Sequence, residues 1–580
     1  AISASNNRKG FLHMKKKLLP ALIVTGLIIL VVIIIGITAL INKYTPTKKT
    51  EDLKEYFNIS SDDEVALIVD NELSDYKAKI IDKKIYVDYK FVHDSLNSRF
   101  YWDANENVLL YTTASDIISA AADSNSYSVT KQTNDFGYPI VKATSDSALI
   151  ALDYVKQYSN ITFKSYDDPA RIVITSKWDE IDSATVSKPT QVRVKGGIKS
   201  PILKEVKKDD KITILDSGDK WDKVATEDGV IGYIKRKALS ESKKTKLTNP
   251  DYEEETFTHI KKDKDICLAW NQVTSQSANS KVPQVISSTK GINVMSPTWF
   301  YLNDNNGNLA DIASKDYVSY CHSQGIEVWG LFSNLENTDV DAAYVLTHTS
   351  TRTTLINQIM SAAFNYELDG VNIDFENITE AAYGDSYIEF IRELSIKCHN
   401  NGISLSVDVT VPASFNKFFN RSDMAKFADY IVIMGYDEHY KGSDAGSVSS
   451  IPWVTEGVES TLKEVPADQI ILGMPFYTRI WELTPKEDDD AVTDTEDQSK
   501  YTVASQVYSM DAAAAQLATN NATAALDEES GQNYAEWSAS NKLYKVWLED
   551  STSLEKRLKL VDDNKLAGAA FWKLGFENSS

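Results

Sequence analysis

The chain is poor in cysteine and short of positive charge. Cys267, Cys321 and Cys398 are the three cysteines in 580 residues. An odd, widely spaced set makes neither a disulfide framework nor a zinc site, and each lies in an apolar run, where free thiols are ordinarily buried. Lys and Arg total 61 against 83 Asp and Glu, a net charge of −22. That balance offers no basic face to replace the counterions of DNA or RNA, so nucleic acid is not an expected partner. Histidine is scarce as well. His93 has no His or Cys at ligand spacing, so no metal is expected, and no cofactor. General disorder is excluded by 42% hydrophobic and 25% charged residues, the proportions of globular protein. At roughly 100–200 residues per domain, the length predicts three to five domains.

Charge disappears altogether over residues 18–41, which contain LIVTGLIILVVIIIGITALI. As a helix this run spans about 36 Å, enough for a hydrocarbon core of about 30 Å. Lys15, Lys16 and Lys17 stand immediately before it, which predicts a cytoplasmic tail at 1–17, a retained single-pass anchor in the cell membrane and an exported remainder. A cleaved signal peptide would have an apolar core of about 7–15 residues and a small-residue cleavage site. This run is longer, and no such site follows it.

Residues 45–55 are polar and read as a linker. Residues 56–182 contain a weak repeat, one copy beginning at Lys84 (KIYVDYKFVHDSLNSRFYWDANENVLLYTT) and the other at Ser147 (SALIALDYVKQYSNITFKSYDDPARIVITS). Each copy predicts a strand, a short helix and a hairpin. This α+β pattern resembles the copper amine oxidase N-terminal-like domain, a stalk module, and implies no copper. Residues 188–240 carry short β-rich runs between turn residues, the pattern of a small antiparallel barrel. Val194, Trp221, Gly229 and Gly232-Tyr233-Ile234 resemble a bacterial SH3 domain, a resemblance that implies a cell-wall peptide as a partner. Residues 241–255 are charged and read as a second linker.

The remainder, 256–580, alternates apolar runs with helical stretches. Strands are expected at 266–270, 292–296, 327–332, 370–376, 404–410, 430–436, 470–475 and 567–572, which fits a (β/α)8 TIM barrel. Residues 481–542 exceed one strand-to-helix connection and read as an insertion walling one side of a cleft.

One strand carries the chemistry. In Leu368-Asp369-Gly370-Val371-Asn372-Ile373-Asp374-Phe375-Glu376 the period of two puts Asn372, Asp374 and Glu376 on one face, with Val371, Ile373 and Phe375 on the other. Two carboxylates about 7 Å apart along a strand repel. That raises one pKa and yields an acid still protonated near neutrality. Glu376 falls at the carboxyl end of its strand, where barrel active sites open. Asp369-Gly370 through Glu376 resembles the DGxDxDxE signature of glycoside hydrolase family 18, the chitinase-like enzymes. Met434-Gly435-Tyr436-Asp437, Gly473-Met474-Pro475-Phe476-Tyr477 and Phe571-Trp572 resemble that family's strands six, seven and eight. SPTWFYL, MGYDEHY and KVWLEDSTSL resemble the spore-cortex-lytic type, N-acetylglucosaminidases of peptidoglycan. Asn372 stands where chitinases commonly have Asp, which puts a carboxylate proton relay in doubt.

The resemblance implies substrate-assisted hydrolysis with retention. Glu376 is the acid and then the base, Asp374 orients the substrate's 2-acetamido group, and Tyr436 donates to its carbonyl. Asn372, Met434, Asp437, Tyr477 and Trp572 are expected to contact substrate, Trp572 through its ring face. The substrate class is a GlcNAc-containing polysaccharide. Anchor, stalk and SH3-like module favour peptidoglycan over chitin, with other GlcNAc glycans open. A non-catalytic glycan-binding surface protein is the rival reading, against which stands the retained Glu376.

Overall fold

The computed structural model describes residues 6–376, 378, 381–486 and 498–579. The chain forms two compact units, one from residues up to 96 together with 149–254, the other from 97–148 together with 255–580.

In the first unit a helix, Asn6–Tyr44, contains the apolar stretch Leu22–Tyr44, within which an 18-residue window has a mean hydropathy of 3.1 and is not buried. It is long and apolar enough to cross a membrane. Glu64–Val69, Glu72–Ile81 and Lys84–Asp88 follow as an antiparallel meander. Ala148–Ala151 adds to its far edge, and Arg171–Thr175 runs parallel to Glu64–Val69. A separate seven-stranded antiparallel sheet covers Glu180 to Lys246 around Val192, Val206, Val224 and Ile234. Part of the expected linker at 241–255 is its edge strand: Lys243–Lys246 pairs with Glu180–Thr185. Lysine is a fitting edge residue, because charge on an unpaired edge discourages further strand addition.

Both repeat copies show the expected strand, short helix and hairpin, but their hairpins differ in allegiance. The second, Thr162–Tyr166 with Arg171–Thr175, completes the first unit's sheet. The first, Phe100–Asp103 with Val108–Thr112, opens a five-stranded meander ending at Gln132–Asp135 that belongs with the barrel. The 56–182 stretch is therefore divided between the two units, for reasons visible in its side chains. The Asp103 carboxylate accepts from the backbone N–H and hydroxyl of Thr349 at 2.7 and 2.6 Å, capping the helix Thr349–Tyr366, whose own N-cap residue His348 gives no side-chain cap. The Tyr101 hydroxyl meets Ser386 at 2.9 Å, and Thr112 donates to Glu389 at 2.8 Å, both on the helix Ala381–His399.

The barrel strands are β1 (Ile266–Asn271), β2 (Val294–Leu302), β3 (Glu327–Ser333), β4 (Gly370–Asp374), β5 (Ser404–Thr410), β6 (Tyr430–Met434), β7 (Ile470–Pro475) and β8 (Gly568–Trp572). Every neighbouring pair is parallel, and β8 pairs with β1, which closes the cylinder. All eight expected strands are present, with ends shifted by a few residues. The lower interior is filled by Leu268, Trp329, Leu331, Tyr430, Val432 and Ile471, with the Trp329 and Tyr430 rings stacked at 5.6 Å. The insertion is longer than expected, running from Tyr477 to Leu548, and its described residues include a five-stranded antiparallel sheet and the α-helix Met510–Thr519. Residues 487–497, most of the acidic run within it, lie outside the described residues.

Candidate active site

The approach to β4 explains the first two residues of the motif. One carboxylate oxygen of Asp369 accepts the Val328 N–H and lies 2.8 Å from His322 Nε2, so Asp369 ties β4 to its neighbour and is no part of the chemistry. Gly370 is required by packing: a Cβ there would lie 2.6 Å from the Trp329 indole.

Beyond Gly370 the side chains alternate as expected. Val371, Ile373 and Phe375 are buried between the strands and the helical layer. Asn372 and Asp374 are buried on the opposite face, and Glu376 is exposed just past the end of β4. Asn372 has no exposed surface and makes four hydrogen bonds. Its oxygen accepts from Trp270 Nε1 and from Ser296, each at 3.0 Å. Its nitrogen donates to Ser406 at 3.0 Å and to Asp408 at 2.7 Å. The expectation that Asn372 touches substrate is corrected here. Its hydrogen-bonding capacity is spent inside the barrel, which makes it a floor for the site. An amide also suits this hub better than a carboxylate, because it gives and accepts at once.

Asp374 sits above that floor, and one of its oxygens is buried with no hydrogen-bond partner among the described residues. An unsatisfied buried oxygen costs stability unless something else uses it. Burial, and next the charges of Asp408 and Glu376, push the Asp374 carboxyl well above its ordinary range. Asp408, on β5, is pushed well up by burial first. At Glu376 loss of solvation again leads, repulsion from Asp437 adds to it, and a hydrogen bond with Asp374 works the other way. Like charges crowded in this way hold protons between them at pH values where isolated carboxyls are ionised. The backbone N–H of Glu376 donates to Asn334 at 3.0 Å, which fixes the chain where the acid leaves the strand.

The carboxyl ends of β6, β7 and β8 supply the rest. Tyr436 follows β6, half-buried, its ring edge-on to Trp270 at 6.4 Å. Burial, with Asp408 next, raises its phenol far above the usual value, so the hydroxyl remains a donor. Trp572 ends β8 and packs edge-on against Trp270 at 6.0 Å. Asp437 is exposed, in the left-handed region at φ 61°, and accepts a 2.6 Å hydrogen bond from Tyr477. Met434 is buried and shares a cavity wall with Glu376. Asp374, Glu376, Met434, Tyr436, Asp437, Tyr477 and Trp572 thus gather at one mouth of the barrel, and Asn372 lies beneath them.

Sequence reasoning missed three contributors. Asp408 is the lone carboxylate in the strand SLSVDVT, where it shares a face with Ser404 and Ser406 opposite Leu405, Val407 and Val409, a readable signal for a polar inner face. Trp270 organises three site residues but reads as ordinary core. Arg479, 3.7 Å from Asp437, lies two residues beyond Tyr477 on the same face of its strand, a relation the period of two exposes once Tyr477 is singled out.

The repulsion from Asp437 gives a test of this electrostatic arrangement. Asp437→Asn removes one negative neighbour and lowers the Glu376 pKa, so that, with Glu376 in its expected role of general acid, the alkaline limb of kcat/KM moves to lower pH. The limb tracks the protonated acid of the free enzyme. An unmoved limb in the pH profile would show that Asp437 exerts no such influence.

Residues 337–577 match the family described as Glycosyl hydrolases family 18. The chain is 25% identical over 280 residues to the Cortical fragment-lytic enzyme of Bacillus subtilis (strain 168), covering 47% of this chain and 62% of that one. It is 25% identical over 157 residues to Chitinase 1 of Aphanocladium album, covering 23% and 37%. The chain thus spans less than two thirds of the length of these two relatives. Among solved structures, the Bacillus megaterium QM B1551 spore cortex-lytic enzyme SleL is similar with a TM-score of 0.46 at 20% identity, covering 54% of this chain and 72% of that chain.

Proposed function

We propose that this protein, whose barrel is a family 18 glycoside hydrolase domain, cleaves β-1,4 bonds beside N-acetylglucosamine in peptidoglycan, with retention of configuration. The observation that carries the reading is the unpartnered buried oxygen of Asp374 beside Glu376 and Tyr436. A second carboxylate acting as nucleophile is not needed when the substrate provides its own, as in this family. Glu376 gives its proton to the glycosidic oxygen as the bond to C1 breaks. The 2-acetamido oxygen attacks C1 and forms an oxazolinium ring. Asp374 accepts the acetamido N–H and balances the positive charge that develops there, while the Tyr436 hydroxyl donates to the acetamido oxygen. Water then attacks C1, Glu376 takes its proton, and the ring opens to the retained product. Trp572 carries the apolar face of the sugar and Asp437 its hydroxyls.

Peptidoglycan is favoured over chitin by the relative named for cortical fragments and by the N-terminal region, which would hold the barrel near the wall. In this reading 18–41 is a retained anchor, 56–182 includes a copper amine oxidase N-terminal-like stalk, and 188–240 is an SH3-like module for wall peptides. Side-by-side digestion of purified peptidoglycan and chitin, with products read by mass spectrometry, tests the substrate. New reducing-end GlcNAc on muropeptides is expected. Release of chitobiose with intact peptidoglycan would overturn the assignment. For the anchor, cell fractionation is expected to leave the full-length chain in the membrane. A soluble form beginning just after residue 41 would contradict it.

A further inference from the structure

The first unit carries a basic surface in an acidic protein. Residues 42–49 and 193–200 contain Lys43, Lys48, Lys49, Arg193, Lys195 and Lys199 and neither Asp nor Glu, in a chain of net charge −22. The two segments meet. The Lys199 ammonium donates to the Asn42 carbonyl and, at 2.8 Å, to the Thr45 carbonyl, at the last turn of the apolar helix. The Thr47 N–H donates to the Ile198 carbonyl, the Ile202 N–H to the Lys49 carbonyl and the Glu51 N–H to the Ile202 carbonyl, each at 2.8 Å. The chain therefore leaves the helix by running parallel to the edge of the 180–246 sheet at Ile202.

Arg193 locks the junction. It is 2% exposed, and its guanidinium donates to the carbonyls of Ser200 at 2.6 Å, Thr47 at 3.3 Å and Ile198 at 3.4 Å, and to the Gln191 side chain at 3.0 Å. A buried guanidinium satisfied in this way fixes the loop 195–200 against the end of the helix. Arg193 and Lys199 are thus spent on structure. Lys43, Lys48, Lys49 and Lys195 are exposed and have no carboxylate partner among the described residues. Other lysines of this unit are paired, such as Lys54 with Asp62, Lys204 with Asp228 and Lys244 with Asp182.

The helix sets the height of these charges. With 18–41 in the hydrocarbon, a headgroup layer about 5–7 Å deep begins at Asn42. Tyr44, 66% exposed, stands where aromatic residues mark the interface. Because Lys199 bonds the Asn42 and Thr45 carbonyls, the loop 195–200 lies at that same level. We propose that this surface seats the 188–240 module on the membrane by binding the phosphates of anionic lipid headgroups. The proposal rests on the retained-anchor reading and goes beyond it: the helix fixes the chain in the bilayer, and the lysines select the lipid and hold one face of the module against it. Net negative charge elsewhere in the chain is repelled by the same lipids, which leaves this surface as the side turned to them.

The test uses the full chain in nanodiscs of phosphatidylcholine, alone or mixed equally with phosphatidylglycerol. Amines are acetylated with a water-soluble reagent, and the rate at each lysine is read by mass spectrometry. Lys43, Lys48, Lys49 and Lys195 are expected to react roughly fivefold more slowly on the mixed disc, the effect of one lysine at an anionic surface. Lys90, exposed elsewhere in the unit, should react equally on both. The protection should vanish at about 1 M salt, where the screening length falls to about 3 Å. Arg193→Gln should abolish it at Lys195 and leave it at Lys43, which the helix carries. Inorganic phosphate added to the phosphatidylcholine disc should protect none of the four. Equal rates at Lys195 on the two discs would overturn the surface, and protection by free phosphate would overturn it too, making the loop a site for soluble anions. A chain that enters neither disc would remove the anchor reading, and this proposal with it.

Discussion

Glu376→Gln is expected to lower kcat by roughly 10^2- to 10^4-fold, the usual worth of a positioned general acid, while leaving the fold as stable as before. Glutamine keeps the size and hydrogen-bonding edge of the side chain but has no proton to give the leaving oxygen. Stability should hold because the side chain is open to the cleft and its neighbours oppose its charge. Glu376 has a folded-state pKa above its unfolded value, so ionising it at neutral pH costs folding free energy. The neutral amide removes that cost, and the thermal midpoint should stay level or rise slightly. Steady-state kinetics on GlcNAc oligomers and a melting curve decide the matter together. Near-wild-type turnover in a folded variant would remove Glu376 from the chemistry.

Arg352→Leu should produce the largest loss of stability, about 3–5 kcal/mol, typical for removing one partner of a buried ion pair. Arg352 has no exposed surface. Its guanidinium donates to Glu393 at 3.0 Å and to the Leu346 carbonyl at 2.6 Å, and lies 5.0 Å from the centre of the Tyr101 ring. Burial already raises Glu393 to about 7 despite the cation beside it. Without Arg352 that carboxyl has lost its principal counter-charge and must take up a proton to stay inside. Urea denaturation with a shared slope measures the difference. A loss under about 1 kcal/mol, the range of exposed pairs, would mean that water reaches the cluster.

The barrel was legible because its strands are short apolar runs punctuated by polar turns, and because β4 and the two residues after it place three polar residues at a period of two. Asp374 and Glu376 stand out by that period, whereas Tyr436 and Trp572 could be named because their motifs resemble strands six and eight of family 18. Asn372 was misread, since a strand's period gives the face of a residue and not its depth. Only the three-dimensional neighbours Trp270, Ser296, Ser406 and Asp408 show that its hydrogen bonds are already made. The allegiance of residues 97–148 was hidden for another reason. The two repeat copies within 56–182 have the same local pattern, and what separates them is a handful of polar contacts such as Asp103 with Thr349, 246 residues apart in the chain.

With residues 18–41 retained as the proposed anchor, that contact bears on how the barrel would be released from a cell. The backbone passes between the two compact units three times, near residues 96, 148 and 254. A protease that nicked the exposed connection around 241–255 would sever one of the three crossings. The catalytic fragment would remain held through the 97–148 meander, which grips two barrel helices by Asp103, Tyr101 and Thr112 and is itself joined to the N-terminal chain at both ends. Release into the medium would therefore require cuts on both sides of the meander as well, so that a single clip leaves the hydrolase where it is.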